Sequence, residues 1–329
     1  MKMKKNLAII MTATMSLLTF TGCGQTTNNY MKEVTKTLEW EACSSESKGT
    51  LNLESKEAAQ KVSISFASTA YKSGDKSYSE IKFTDPSGVF NIPEIKAYAD
   101  GATAYINKSY YEGIYTMMGQ AVPEGLKNIN AEYIAIDSGM KNMELNKMMT
   151  DPNEIIKLSE SIFGDSDIDL PYTQNGREYT MDLDSDQVVD LGVKGIKALS
   201  KNLDNVNNTF ALGLNAEQIA EFKNQIVSEG FTQGITSIKD AIKGSTISSK
   251  EVFEDDKYTS NSNVNIEIKD LGKVSLVVNA TSTKAEDKEI SLPTSVAKFT
   301  PEQYAQLVGS EQQVSVSDAA LAKIVGVEK

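Results

Sequence analysis

Apolar and polar residues alternate across residues 61–106, and this period of two predicts the strands of an antiparallel sheet. The first strand places Ile64 and Phe66 on one side, with serines and an alanine between and beside them. The next strand places Ile81 and Phe83 on one side, with charged residues between. We therefore expect a sheet with one apolar face and one face in water.

An Asp-Gly pair at positions 100–101 interrupts a run of alanines, tyrosines and isoleucines that extends from residue 95 to residue 106. Asp-Gly readily adopts the positive φ angles of a two-residue hairpin turn. The spacing predicts two short paired strands on either side of it.

The pattern changes after residue 150 and changes back after residue 244. Apolar residues recur at helical spacing in several amphipathic segments of residues 151–244, and period two returns at residues 264–268 and 274–278. A further short strand is predicted at residues 289–292, before a proline. Strands early and late with helices between them indicate an α+β protein, with a helical layer against an antiparallel sheet. We expect one domain over residues 31–310 and a weakly structured tail over residues 311–329.

The N-terminus has the pattern of an export signal. Three lysines precede an apolar run that is too short to cross a bilayer, which needs about 20 residues. The segment Phe-Thr-Gly-Cys at positions 20–23 resembles the bacterial lipoprotein processing site, in which the cysteine is acylated and becomes the new N-terminus. We expect residues 1–22 to be a signal peptide, Cys23 to be lipidated and residues 23–30 to be a polar tether; the alternative is an ordinary secretory signal with a stray thiol.

Such an anchor places the protein on the extracytoplasmic face of the cell membrane. Two acyl chains hold a protein stably on a bilayer, whereas a single chain does not. The lysine-rich, arginine-poor composition is typical of an AT-rich Gram-positive source. The membrane is therefore one expected partner, and the sequence leaves any protein partner open.

Charge and composition exclude several classes of function. The chain carries a net charge of −12, and loss of the three lysines in residues 1–22 leaves −15. Such a body repels nucleic acid, so no nucleic-acid partner is expected. The chain has no histidine, which removes the commonest general base and metal ligand, and Arg177 is its one arginine.

No catalytic or metal-binding constellation emerges from the motifs. Aspartates alternate at positions 165–169 and 182–186, but neither run continues with the glycine and glutamate of a calcium loop. Several Ser-x-x-Lys matches fall in predicted strands or turns, where chance explains them in a chain rich in both residues. Cys43 has no partner for an internal disulfide once Cys23 is modified, and burial as a small apolar residue is its expected state. We expect no enzyme activity, no metal and no cofactor.

Methionines cluster between residues 117 and 149. Flexible, unbranched methionine suits a cavity with variable contents, although simple core filling explains the same pattern. Together with apolar residues of the predicted strands, part of this cluster gives the candidate ligand-binding set: Phe66, Phe83, Ile106, Met117, Met118, Met140 and Met143.

The order of these features resembles bacterial lipoproteins of the lipoprotein-carrier fold, the LolA-like and LppX-like group. The resemblance rests on the lipidated cysteine, the following short helix, the long antiparallel run with its Asp-Gly hairpin, and the closing segment at residues 289–294. It implies a strongly curved sheet that forms an open half-barrel, with helices on the concave side and room there for acyl chains. The expected function is that of a lipoprotein that binds or carries a lipid or another hydrophobic ligand. The alternative is a structural or interaction protein of the cell envelope with the same fold and a filled core.

Overall fold

The computed structural model describes residues 24–56, 61–88, 90–101, 103–137, 161–162, 169–209, 212–300 and 303–304. Within these residues the chain forms six helices and twelve strands. The helices are α1 (Gln25–Leu38), α2 (Lys108–Met117), α3 (Glu124–Lys127), α4 (Ser185–Thr209), α5 (Ala216–Ile226) and α6 (Glu229–Ala241). The strands are β1 (Ala42–Ser55), β2 (Lys61–Ser73), β3 (Lys76–Thr84), β4 (Ile95–Asp100), β5 (Thr103–Asn107), β6 (Tyr133–Asp137), β7 (Thr173–Asn175), β8 (Glu178–Asp184), β9 (Thr246–Phe253), β10 (Lys257–Ile268), β11 (Gly272–Lys284) and β12 (Val296–Phe299).

All twelve strands belong to one open sheet, in the order β12-β6-β5-β4-β3-β2-β1-β11-β10-β9-β8-β7. Every neighbouring pair is antiparallel except β12 and β6, which are parallel. Strand β1 lies near the centre of the sheet, where it pairs with β2 on one side and with β11 on the other. The expected α+β class with a curved, mainly antiparallel sheet and helices against it is confirmed.

The alternation along each strand separates the sheet into two faces. The inner face is the one that carries Phe66, Phe83 and Leu276, and the register places these residues on the same side. The outer face carries mainly serine, threonine, asparagine, lysine and glutamate, such as the hydrogen-bonded pair Asn261 and Asn279. Polar outward and apolar inward positions are what an antiparallel sheet with one wet face requires.

Helices cover both ends of the inner face. Helix α1 lies over strands β8–β10, where Tyr30, Met31 and Val34 pack against the inner side chains of those strands. Helix α4 closes the same end through Val188 and Leu191, and α5 and α6 pack on α4. At the other end, α2 and α3 pack over β6 and β12. The strands between these two ends, β11 and β1–β3, form the floor of the cavity described below.

The N-terminal region differs from its prediction. Residues 25–30, expected as part of a polar tether, form the first turns of α1, and Thr27 and Tyr30 are buried there. Their side chains bond to distant segments: the Leu170 amide donates to the Thr27 hydroxyl at 2.9 Å, and Tyr30 donates to Glu251 at 3.0 Å. Tertiary contacts thus make a polar-looking segment part of the fold.

The strand predicted at residues 289–292 is absent; those residues are irregular, and Ile290 alone is buried there. Strand β12 begins three residues after Pro293 instead and pairs with β6 in parallel. Because proline cannot donate to a ladder, pairing starts beyond it. The signal peptide, Cys23, Met140, Met143 and the tail over residues 311–329 lie outside the described residues. In the part of the chain that the structure describes, no helix has the length and apolar character needed to cross a membrane.

Candidate ligand cavity

A cavity of about 470 Å³ lies on the inner face, between the two helix-covered ends of the sheet. This volume is within the roughly 300–1,000 Å³ that is usual for small-molecule sites. Strands β11, β1, β2 and β3 form its floor, and the last turn of α1 together with Trp40 borders it. Its apolar lining consists of Leu38, Trp40, Leu51, Ile64, Phe66, Ile81, Phe83, Ile92, Ile95, Leu276, Val278 and Ala280.

Strand register brings the apolar lining together. Leu51 of β1 lies opposite Ile64 on one side and Leu276 on the other. Phe66 lies opposite Phe83 in the next strand. An apolar wall across four strands follows from this pairing, because cross-strand neighbours on one face lie about 4.5–5.5 Å apart.

Gly49 shapes the floor of the cavity. It lies opposite Phe66, and a Cβ atom at position 49 would lie 2.4 Å from Phe66 Cε1 and 2.6 Å from the carbonyl oxygen of Val277. The absence of a side chain therefore lets the phenyl ring lie across β1. A larger residue would push the ring upward into the empty space.

The part of the cavity nearer the end of α1 is lined by hydroxyl groups. The hydroxyls of Ser45 and Ser282 lie 2.8 Å apart, and those of Ser47 and Ser68 lie 2.7 Å apart. Each pair is cross-strand, so a hydroxyl on one strand satisfies its neighbour without a charge. The cavity therefore has an apolar portion and a polar portion along the same strands.

Cys43 and Lys72 lie opposite each other at the end of the polar portion. Burial raises the pKa of the Cys43 thiol, and the nearby Lys72 ammonium offsets part of that rise. A thiol with a raised pKa is neutral at neutral pH and is a weak nucleophile. Cys43 is therefore a lining group rather than an activated one.

Glu251 occupies the filled end of the inner face, beside the cavity. It is only 2% exposed, yet its carboxylate accepts hydrogen bonds from Tyr172 at 2.7 Å, Tyr258 at 2.8 Å and Tyr30 at 3.0 Å. Ser249 adds a fourth bond at 3.2 Å. Burial, together with the charge of Glu251, raises the pKa of Tyr258, so that the phenol remains a donor. Four donors compensate the loss of water around the carboxylate, and the cluster ties α1 to the sheet.

Only part of the predicted ligand set lies at the cavity. Phe66 and Phe83 line it. Ile106 is on the same face but farther along, opposite Ala97 and Ile134, and is outside the lining.

The methionine part of the prediction fares differently. Met117 is the last residue of α2, and Met118 packs with Tyr115 and Leu126 at the other end of the sheet. Neither lines the cavity, so for these two residues core filling describes the packing better than ligand contact does. Met140 and Met143 lie outside the described residues.

The prediction missed several lining residues: Leu51, Ile64, Ile81, Ile95, Leu276 and Val278. Their signal was present in the alternation, because each occupies the same parity as Phe66 or Phe83 once the strands are paired. What was lacking was the register that places them side by side.

Comparison with known protein families and with curated proteins finds no match to this chain.

Proposed function

We propose that this chain is an exported lipoprotein, anchored to the cell membrane through Cys23, that binds or carries a hydrophobic ligand in the inner-face cavity without chemical change. The observation that supports the proposal is the cavity. Side chains such as Leu51, Ile64 and Phe66 line an empty space instead of packing against a helix of the described chain. Apolar surface that the described residues leave uncovered is surface that an apolar guest can cover.

The energy available to such a guest is large. Each buried methylene contributes about 0.8 kcal/mol, so a sixteen-carbon chain gains roughly 12 kcal/mol before the costs of ordering are subtracted. No charge is needed for binding on this scale. An apolar site with satisfied hydroxyl pairs is therefore sufficient for a lipid-binding role, in keeping with the carrier fold that the sequence resembles.

The position of α1 fits an anchor at Cys23. The helix begins at Gln25, and the Gly24 amide donates to the Asp169 carboxylate at 2.5 Å. A lipid on the preceding residue would therefore attach to the folded body almost directly. The end of α1 that borders the cavity lies about 21 Å from its start, given a rise of roughly 1.5 Å per residue.

Uptake of a fluorescent long-chain amphiphile tests the proposal. The chain from Gly24 to Lys329 is suitable, because it contains the twelve strands and six helices of the described residues and lacks Cys23. Ala280→Phe places a ring in the cavity, whereas Thr283→Phe places the same ring at an exposed outer-face position of the same strand. We expect A280F to lose at least about tenfold in affinity and T283F to bind like the wild type.

Equal binding by the wild type and A280F would show that uptake occurs elsewhere. If the wild type binds no long-chain amphiphile, the proposal fails, and an anchored envelope protein with a structural or interaction role takes its place. Circular dichroism of both variants establishes that each is folded before binding is compared.

A further inference from the structure

The cavity is chemically asymmetric along its length. On β1, Leu51 and Gly49 give way to Ser47, Ser45 and Cys43 toward the end nearest α1. The lining of the two neighbouring strands changes from apolar to hydroxyl-bearing in the same direction. It runs from Ile64 and Phe66 to Ser68 on β2, and from Leu276 to Ser282 on β11. A guest that is apolar throughout would leave the hydroxyl-lined portion poorly matched. An amphiphile matches both portions.

Lys72 is the one cation in the lining, at the polar end. It is half-buried, and no carboxylate of the described residues lies within ion-pair distance of its ammonium. Two nearby lysines differ: Lys61, on the same strand, pairs with Glu54 at 3.0 Å, and Lys82, on the neighbouring strand β3, pairs with Glu80 at 2.5 Å.

Two acids near this part of the sheet lie toward its outer face. Glu46 belongs to the lining through its backbone stretch, but its side chain is exposed and alternates to the outer face. Asp287 accepts a hydrogen bond from Ser73, whose side chain points to the outer face. Lys72 thus lies on the cavity side of β2, opposite the neutral thiol of Cys43.

The volume limits the size of the guest. The cavity volume of about 470 Å³ lies toward the lower end of the roughly 300–1,000 Å³ that is usual for small-molecule sites. One acyl chain matches this volume better than the two or three chains of a mature lipoprotein do. A single-chain guest is favoured over a lipoprotein cargo.

The geometry points to a single-chain amphiphile with an anionic headgroup, such as a fatty acid or an anionic lysophospholipid, as the ligand, with its chain along Leu51, Ile64 and Phe66 and its headgroup on Lys72. This inference rests on the proposed function and specifies its ligand. In a body with a charge of −15, an anion meets repulsion over most of the surface, and Lys72 provides the local exception inside the cavity. A carboxylate or phosphate there restores the partner that the described residues do not supply.

A matched ligand series tests the headgroup. Palmitate, hexadecanol and hexadecylamine share one chain length and differ in headgroup charge, and lysophosphatidylglycerol supplies a phosphate in place of the carboxylate. Binding to the chain from Gly24 to Lys329 is measured by displacement of a fluorescent fatty alcohol. We expect the wild type to bind palmitate or lysophosphatidylglycerol at least about tenfold more tightly than hexadecylamine. The stronger of the two anions identifies the headgroup class.

Variants at Lys72 separate charge from shape. We expect Lys72→Gln to lose about tenfold in affinity for the anions while hexadecanol binding stays unchanged, and Lys72→Arg to retain anion binding. Lys48→Gln removes an exposed lysine from the outer face of the adjacent strand and serves as the control. Retention of anion binding by K72Q, or a wild type that binds hexadecylamine as tightly as both anions, would overturn the inference. If the wild type binds no member of the series, hexadecanol included, the proposed function itself is refuted.

Discussion

Two neighbouring regions of the same sheet face differ in how they are filled. Over strands β8–β10 the inner positions carry large side chains, including Tyr179, Met181 and Phe253, and α1 packs on top of them. Over β11, β1 and β2 the inner positions include many small residues: Ser45, Ser47, Gly49, Ser68, Ala280 and Ser282. Both regions face the same side of the sheet, and the cavity lies over the second. Side-chain volume at inner positions, as much as helix placement, decides where the hollow lies.

The difference also concerns charge. The filled end contains a carboxylate, Glu251, whose four hydrogen bonds come from the protein itself. The hollow region contains an ammonium, Lys72, without a carboxylate partner in the described residues. A charge that is compensated internally serves stability, whereas a charge that faces an empty space is available to a ligand. This contrast separates a structural cluster from a candidate binding site.

The largest expected effect is at the filled end. Glu251→Ala leaves Tyr30, Tyr172 and Tyr258 without their shared acceptor, and we expect it to lower the free energy of unfolding by about 3–5 kcal/mol. Urea denaturation measures the change. The control, Glu46→Ala, removes an exposed outer-face carboxylate and should stay within about 0.5 kcal/mol. Similar values for both variants would mean that the cluster does not hold α1 on the sheet.

Matched truncations compare the two regions directly. We expect Met181→Ala, at the filled end and 2% exposed, to cost about 2–5 kcal/mol, because it leaves a cavity among packed neighbours. Ile64→Ala, on the floor of the hollow, should cost less than about 1.5 kcal/mol, since the residue already lacks contacts on one side. Chemical denaturation of both variants supplies the comparison. Equal losses would contradict the description of the middle region as hollow.

Gly49 tests the floor of the cavity through a single methyl group. Gly49→Ala forces Phe66 or the β11 backbone to move, and we expect a loss of about 1–3 kcal/mol together with weaker ligand uptake. Gly192 in α4 is the control, because nothing lies within 4 Å of a Cβ atom there. Gly192→Ala should be neutral or stabilising by up to about 1 kcal/mol. An unperturbed G49A variant would show that the ring of Phe66 has space to spare.

The smallest effect expected is a change in the reactivity of Cys43. Burial raises its pKa, so the rate of alkylation should reach half its maximum at a higher pH than for an exposed cysteine. The Lys72 ammonium opposes that rise, so Lys72→Gln should move the rate profile to still higher pH. Iodoacetamide kinetics on the chain from Gly24 measure this, because Cys43 is then its single thiol. An unchanged profile in K72Q would place the two side chains apart.

The sequence predicted the sheet better than it predicted the cavity. Alternation at Ile64, Phe66 and Phe83 and the Asp-Gly pair at 100–101 indicated the strands, which form, although Asp100 is still paired with Thr103 and the turn begins at Gly101. These signals are local, since a strand pattern and a turn each depend on a few adjacent residues. The α4 and α5 helices followed from their amphipathic spacing in the same way.

The cavity depends on information that one strand does not contain. Leu276 and Leu51 are far apart in the chain, and only the pairing of β1 with β11 makes them neighbours. The methionine cluster predicted ligand contacts near the end of α2, but Met118, the residue after this helix, packs in a hydrophobic core. Residues 25–30 were predicted as a tether because they are polar, although Thr27 and Tyr30 are buried through hydrogen bonds to distant residues. Long-range register and tertiary hydrogen bonding account for these differences.

Native mass spectrometry of the chain from Gly24 to Lys329 with palmitate tests the central claim most directly. We expect one bound molecule for each wild-type molecule, and no bound molecule at the same concentration for A280F. A wild type that binds no palmitate at any concentration would contradict a ligand site on the inner face of the sheet. Binding of several palmitate molecules, to the same extent in the wild type and A280F, would contradict it as well.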